Sequence, residues 1–254
     1  MKTGIIDTAP MNRRQVLGRL ASAAATVVVT QTLAGCASDG IAAVTDTTTE
    51  IPGDGSTTCV LTADLTEGPY FVDEKLNRSD IRADPATGAI SAGQLLTLTF
   101  NVSRVASNSC TPLTGAYLDV WHCDAAGVYS DVSGNSRRSL RGYQITIAAG
   151  VAQFTTVYPG WYSGRAVHIH FKLRLFTGAT QTYEFTSQFF FDEALTSVVH
   201  AQAPYSSKGT RNTLNSSDGI YNSLSSSEKT ALTLQTTKNG DVYNGVINLG
   251  VQLG

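Results

Sequence analysis

The stretch Leu96-Thr97-Leu98-Thr99-Phe100-Asn101-Val102-Ser103 decides the fold class, because apolar and polar residues alternate strictly along it. Alternation with a period of two indicates a β-strand that buries one face. Further strands are predicted at 116–121, 143–147, 151–154, 168–175, 181–191, 231–236 and 242–251. Gly150 is predicted to close a hairpin, and a short helix is predicted from Asp192, as N-cap, to His200. We therefore predict a single all-β domain, an antiparallel β-sandwich with long loops and a short helix, with a barrel as the alternative.

Residues 1–35 are predicted to be an export signal and not part of the fold. Arg13-Arg14 begins a basic segment, an apolar stretch runs from Leu17 to Val29, and Leu33-Ala34-Gly35-Cys36 follows. The arginine pair resembles a twin-arginine signal, and the last four residues resemble a bacterial lipobox, whose cysteine is lipidated after cleavage. A transmembrane helix is disfavoured because polar residues interrupt the apolar run, which falls short of about 20 residues. We expect an exported bacterial protein at the cell envelope, attached to a membrane only through lipidated Cys36.

The mature chain is predicted to consist of a flexible tether, residues 36–57, and one folded domain, residues 58–254. The tether is rich in Ser, Thr, Ala, Gly and Asp, which have little to pack. Export would place the three remaining cysteines in an oxidising compartment, where two of them can be bridged. The favoured pair is Cys59 with Cys110, which leaves Cys123 as a free thiol.

The composition narrows the function classes. Hydrophobic residues make up 42% of the chain and charged residues 15%, which suits a soluble globular domain with a core. The formal net charge is −2, and Lys and Arg form no cluster in the mature part. Nucleic acid is therefore not expected as a partner.

His168-Ile169-His170 is the first candidate for chemistry, and it contains two of the four histidines in the chain. A period of two puts both imidazoles on one face of the predicted strand, about 7 Å apart at Cα for a rise of about 3.3 Å per residue. That spacing allows them to share a metal ion. Taken alone, His-x-His is more often a solvated pair on the outer face of an amphipathic strand.

Two longer segments change this interpretation. Residues 156–171 contain Thr-x-x-Pro-x-x-Tyr followed by Arg-x-x-His-x-His, and residues 118–129 form a strand that ends in Trp and continues to Gly-x-Tyr. These segments resemble the two metal-binding segments of the intradiol ring-cleavage dioxygenases, the protocatechuate and catechol families. Glu67-Gly68-Pro69-Tyr70 resembles the loop that opens their catalytic domain, and Ser187-Gln188-Phe189 resembles the strand with a pocket glutamine. The long insertion of cytosolic members is missing before Arg165, so the chain is most similar to the short, exported branch.

The resemblance implies one ferric iron per chain, held by Tyr129, Tyr162, His168 and His170. Two anionic phenolates would offset much of the charge of Fe(III), and two neutral imidazoles would complete the protein ligands. The family spacing selects Tyr162 as the ligand, so Tyr158 is predicted to be structural. His122 and His200 are also predicted to be structural.

The resemblance further implies a small aromatic diol and O2 as substrates and a cis,cis-muconate-type diacid as product. Arg165 stands where the family has a cation that stabilises negative charge on the ring, and Tyr162 would act as a base for a substrate proton. Gln188 is a candidate for a hydrogen bond to the substrate or the oxygen intermediate. Pro69 and Tyr70 are candidates for the wall of the substrate pocket.

The residues alone leave two other classes of protein as alternatives. A cupin-like metalloenzyme also uses His-x-His on a strand, but it needs a carboxylate and a third histidine at set spacing, and neither follows His170. A non-catalytic β-sandwich module for carbohydrate or protein needs no metal. Colour separates these classes, because a ferric tyrosinate protein is red-brown and a zinc cupin or a binding module is colourless.

Overall fold

The computed structural model describes residues 60–107 and 109–253. The predicted signal, the predicted tether, Cys36 and Cys59 lie outside the described residues. Among the described residues, no helix is long and apolar enough to cross a membrane.

Within the described chain, nine strands form two sheets. The strands are β1 Leu95–Ala106, β2 Ser109–Pro112, β3 Tyr117–Trp121, β4 Arg141–Ile145, β5 Val151–Val157, β6 His168–Thr177, β7 Thr180–Phe190, β8 Gln235–Asn239 and β9 Val242–Val251. The first sheet has the order β2-β1-β9-β8, with β5 also paired with β1, and the second has the order β4-β3-β6-β7. The all-β sandwich prediction is confirmed.

The helices are short and lie between β7 and β8. They are α1 Glu193–His200, α2 Gly219–Ser223 and α3 Ser226–Ala231, with 3-10 turns at Tyr205–Lys208 and Asn215–Ser217. The Asp192 carboxylate accepts a hydrogen bond from the Leu195 backbone N–H at 2.8 Å, which confirms the predicted N-cap of α1.

The core lies between the two sheets, and the alternation in β1 determines which of its residues face this core. Leu96, Leu98 and Phe100 are fully buried, while the intervening residues face outward. The ring of Phe100 meets the ring of Phe171 on β6 edge-on, with centroids 6.0 Å apart. Burial of each such side chain stabilises the folded state by about 1.5–3 kcal/mol. The apolar face of β6 is therefore fixed toward the core, and its other face is left for polar residues.

Three details differ from the sequence predictions. Strands β1 and β9 pair in parallel, whereas antiparallel pairing was expected throughout. The predicted hairpin at Gly150 is wrong, because β4 pairs with β3 in one sheet and β5 pairs with β1 in the other. A turn at 147–150 carries the chain between the sheets, with the Gly150 N–H bonded to the Ile147 carbonyl. The strand predicted at 231–236 begins later, at Gln235, because a capping box between Ser225 and Glu228 starts α3 first.

The cysteines agree with the prediction as far as they are described. Cys110 is disulfide-bonded. Its predicted partner, Cys59, lies outside the described residues, so this pairing stays a prediction. Cys123 is a buried free thiol.

Candidate metal centre

Strand β6 places the two histidines of His168-Ile169-His170 on the face opposite the core. Both side chains are 2% exposed, so they are not the solvated pair that His-x-His alone favours. Trp121 on β3 is the register partner of His170, and its ring stacks on the imidazole with centroids 5.0 Å apart and 7° between the planes. The neighbouring strand therefore fixes the orientation of the His170 ring.

The two candidate tyrosines lie on loops that contact each other through glycines. Tyr129 follows β3, and Tyr162 lies between β5 and β6. A Cβ atom on Gly127, whose φ is +77°, would lie 2.0 Å from the Trp161 carbonyl oxygen. A Cβ atom on Gly160 would lie 2.4 Å from the Ala125 carbonyl oxygen. Glycine is needed at both positions because only then can the two backbones approach closely enough to bring the tyrosines together.

The side chains of these four residues converge on one point. The Nε2 atom of His168 lies 3.0 Å from Nε2 of His170, 3.1 Å from Oη of Tyr162 and 3.5 Å from Oη of Tyr129. Two ligands bonded about 2.1 Å from one ion lie about 3.0–3.4 Å apart for angles between a right angle and the tetrahedral angle. The observed separations therefore suit four ligands of a single ion. No group of three or more His, Cys, Asp or Glu side chains suited to a metal occurs in the described chain.

The tautomer of His168 also suits metal binding. Its Nδ1–H donates to the Ala166 carbonyl at 2.6 Å, which leaves the lone pair on Nε2, toward the other three donors. The Nδ1 atom of His170 is buried and has no hydrogen-bond partner among the described residues. Its ring is held by the Trp121 stack instead.

Burial sets the protonation of the four groups. It lowers the pKa of His168 to about 3 and holds the pKa of His170 well below its usual range, so both imidazoles are neutral at pH 7. It raises the pKa of Tyr162 to about 12 and the pKa of Tyr129 well above its usual range, while the nearby charge of Arg165 lowers both. The phenols therefore keep their protons until a strong Lewis acid displaces them.

Arg165 lies beside the four donors and is held from two sides. Its Nη2 donates to Oε1 of Gln188 at 2.5 Å, and its Nε donates to Oδ2 of Asp218 at 2.9 Å. Gln188 is the register partner of His170 on β7 and is fully buried, and its amide also reaches the Thr66 carbonyl at 3.5 Å. The structure thus brings Gln188 to the predicted site, where its amide oxygen bonds Arg165.

The loop that carries Pro69 and Tyr70 lies over the tyrosines. The ring of Tyr70 stacks on Tyr129 with centroids 4.4 Å apart, and it meets Tyr162 edge-on at 6.5 Å. The Tyr70 carbonyl accepts a hydrogen bond from Arg141 at 3.2 Å. Pro69 is exposed next to it. Tyr70 therefore covers one face of the Tyr129 ring.

The residues predicted to be structural lie outside this cluster and have other partners. The hydroxyl of Tyr158 is hydrogen-bonded to Oγ1 of Thr196 at 2.8 Å. His122 bonds the Cys123 carbonyl at 2.8 Å and Oγ1 of Thr156 at 2.7 Å. Nε2 of His200 donates to the Pro159 carbonyl at 3.0 Å.

Asp218 is the residue of this site that the sequence analysis missed. Its carboxylate is fully buried and bonds Arg165, which precedes it by 53 positions. The local signal was Asp218-Gly219 after a polar segment, which is typical of a turn or a helix N-cap. Nothing in that pattern indicates a contact with the strand that carries the histidines.

The fold and this donor set define a β-sandwich protein with a buried centre of two histidines and two tyrosines. The chain matches the family model described as Dioxygenase over residues 66–216, and it belongs to that family, the intradiol ring-cleavage dioxygenases. This membership separates it from the cupins and from non-catalytic sandwich modules.

Solved structures agree with this assignment. An intradiol ring-cleavage dioxygenase from Tetranychus urticae is 29% identical, with a TM-score of 0.66 over 76% of this chain and 95% of that chain. The dioxygenase domain of a dioxygenase carbohydrate-binding protein fusion from Streptomyces sp. SirexAA-E is 26% identical, with a TM-score of 0.55 over 77% of this chain and 100% of that chain. A 3-chlorocatechol 1,2-dioxygenase from Rhodococcus opacus 1CP shares the fold at 18% identity, with a TM-score of 0.53 over 76% of this chain and 73% of that chain. No curated protein sequence matches.

Proposed function

We propose that the protein is an Fe(III)-dependent intradiol dioxygenase, which cleaves a catechol-type ring with O2 to a cis,cis-muconate-type diacid. The observation that carries this proposal is the convergence of four donor atoms beside Arg165. Nε2 of His168 lies within 3.5 Å of Nε2 of His170 and of both phenol oxygens. Family membership supports the reaction class.

One Fe(III) per chain would be held by Tyr129, Tyr162, His168 and His170. When bound, it would supply a Lewis acid for the two oxygens of the diol and for the reaction of the ring with O2. Tyr129 and Tyr162, whose pKa values burial raises, would bind it as phenolates. The neutral histidines add no charge, so two phenolates leave a net charge of about +1 at the centre.

The two tyrosines would have different roles because their surroundings differ. Tyr129 is 4% exposed and lies under the ring of Tyr70, so it is held in place. Tyr162 is half-buried and lies on the loop before β6. Tyr162 would therefore take a proton from a substrate hydroxyl as the diol binds, while Tyr129 keeps its position.

Arg165 would stabilise the negative charge that develops on the ring. Its guanidinium acts electrostatically on both tyrosines and both histidines, which supports a place for it next to a diol bound at these four groups. Preorganised charges of this kind act where charge develops in the transition state. Tyr70 and Pro69 would wall the substrate pocket, and Gln188 would act on Arg165.

Metal analysis and ring-opening assays test the proposal. The domain, folded with iron available, should hold close to one iron per chain and show a broad visible band from tyrosinate-to-Fe(III) charge transfer. Catechol, protocatechuate and hydroxyquinol, with product identification, would define the substrate. Stoichiometric zinc without a visible band would overturn the proposal.

We also propose that the protein is exported and anchored to a membrane by lipidated Cys36. The arginine pair, the apolar stretch and the lipobox-like Leu33-Ala34-Gly35-Cys36 occur in the expected order. Labelled palmitate should enter the wild-type protein in a bacterial host and should be lost in Cys36→Ala. Labelling that persists in Cys36→Ala would contradict the anchor.

A further inference from the structure

Asp218 is a buried carboxylate whose hydrogen-bond partners are all N–H donors. It lies at the start of α2, two positions beyond the segment that the family model covers. Its Oδ1 accepts from the backbone N–H groups of Ile220 and Tyr221, both at 2.8 Å. Its Oδ2 accepts from the Ala166 N–H at 2.7 Å and from Nε of Arg165 at 2.9 Å.

The two oxygens of Asp218 serve different parts of the molecule. Oδ1 caps a helix of only five residues, which is a local structural role. Oδ2 faces β6, where it meets the side chain of Arg165 and the backbone two residues before His168. Capping of α2 would need Oδ1 alone. The second oxygen therefore points to a role at the site.

The contacts of Arg165 show what that role is. Oδ2 of Asp218 accepts from the Nε–H, and Oε1 of Gln188 accepts from an Nη2–H, so two nitrogens of the planar guanidinium have fixed partners. An arginine side chain has about 2 kcal/mol of rotamer entropy to lose, and a buried ionic partner restricts it before substrate arrives. The carboxylate stays ionised because, although burial opposes it, hydrogen bonds and the charge of Arg165 lower its pKa overall.

We infer that Asp218 is a positioning residue that aims the guanidinium of Arg165 at the substrate, and that Gln188 completes this clamp. The inference rests on the proposed function, because it assigns a purpose to the orientation of Arg165. Asp218 touches neither the four donors nor the pocket wall in any hydrogen bond. Of its contacts, the ion pair with Arg165 is the one that reaches a side chain of the site, whereas the Ala166 N–H is a backbone contact.

Asp218→Asn is the direct test. The amide oxygen can still cap α2, but its NH₂ group would face the N–H donors of Arg165 and Ala166, so both of these contacts are lost and the cap is kept. Asp192→Asn is the matched control, because Asp192 caps α1 through Leu195 and does not touch Arg165. Asp218→Asn should keep iron and the visible band, with kcat lower by about 10²-fold and KM near the wild-type value.

A double-mutant cycle separates positioning from general damage to the fold. If Asp218 acts only through Arg165, Asp218→Asn should cause no further loss of kcat in an Arg165→Ala background. The inference would be overturned if the two losses of kcat multiply in the double variant. It would also be overturned if Asp218→Asn alone loses no more kcat than Asp192→Asn.

A measurement on the wild-type chain covers the case in which Asp218→Asn does not fold. Hydrogen exchange of the Arg165 Nε–H, followed by NMR on metal-free protein, should be much slower than for exposed Arg137. Equally fast exchange would overturn the clamp. Absence of ring cleavage by the wild-type protein would instead refute the proposed function, and the exchange measurement would still decide whether Asp218 holds Arg165.

Discussion

Parallel Phe substitutions at Tyr162 and Tyr158 test the candidate centre most directly, because the two tyrosines lie four positions apart on one segment. Tyr162→Phe removes a phenol oxygen that lies 3.1 Å from Nε2 of His168. The variant loses a ligand and the base for a substrate proton. Its visible band should shift, and its ring-cleavage rate should fall by about 10²–10⁴-fold.

Tyr158→Phe is the control, and its cost follows from its contacts. It loses one hydrogen bond to Thr196, whose hydroxyl keeps its donation to the Asp192 carbonyl at 2.7 Å. The free energy of unfolding should therefore fall by only about 1 kcal/mol. Iron content, colour and turnover should be unchanged.

Absorption spectra, ring-cleavage assays and urea unfolding on both variants complete the test. Tyr129→Phe should damage the centre at least as much as Tyr162→Phe, since its phenolate is expected to stay bound throughout the reaction. A protein in which Tyr158 is essential and Tyr162 dispensable would show that the ligand set is wrong.

Three further predictions address charge, packing and pH. Arg165→Ala should keep iron and colour but lose about 10²–10³ in ring-cleavage rate, and unchanged turnover would show that Arg165 does not act on the substrate. Gly127→Ala should lower the free energy of unfolding by more than about 2 kcal/mol and reduce iron content, because φ is +77° and the new Cβ would meet the Trp161 carbonyl. Gly134→Ala, with φ +82° and nothing within 4 Å, should cost only about 1 kcal/mol and keep iron, so equal losses in both variants would contradict this reasoning. Burial lowers the pKa of His122 to about 4 from its usual 6.5, so the unfolded state binds its proton first as pH falls. The contribution of His122 to the free energy of unfolding should therefore fall by about 3 kcal/mol between pH 6.5 and pH 4. A free energy of unfolding in urea that does not change over this range would contradict this prediction.

The sequence was informative wherever a local pattern decides the structure. The alternation in β1 and β6 depends only on which face meets the core, so both strands were predicted with the correct buried faces. The spacing of the family motifs placed Tyr129 and Tyr162 with His168 and His170, and the structure brings all four together. In each case the relevant residues are close in sequence or carry a specific motif.

The sequence was uninformative where distant segments meet. Lys172 and Arg174, on the polar face of β6, are buried and form ion pairs with Glu67 and Asp73 of a distant loop. Ion pairs across about 100 positions leave no local signal. The contact of Asp218 with Arg165 belongs to the same class, because it depends on how the helical segment folds back over β6.

The parallel pairing of β1 with β9 has a consequence for biosynthesis. Thr97 and its partner Asn244 are separated by 147 positions, and every candidate iron ligand lies between them. A nascent chain cannot complete this sheet until β9 leaves the ribosome, so we expect folding to wait for β9 and to be slow, as for other proteins with high contact order. Ribosome-stalled chains that end before Val242 should accordingly remain sensitive to protease and acquire no iron.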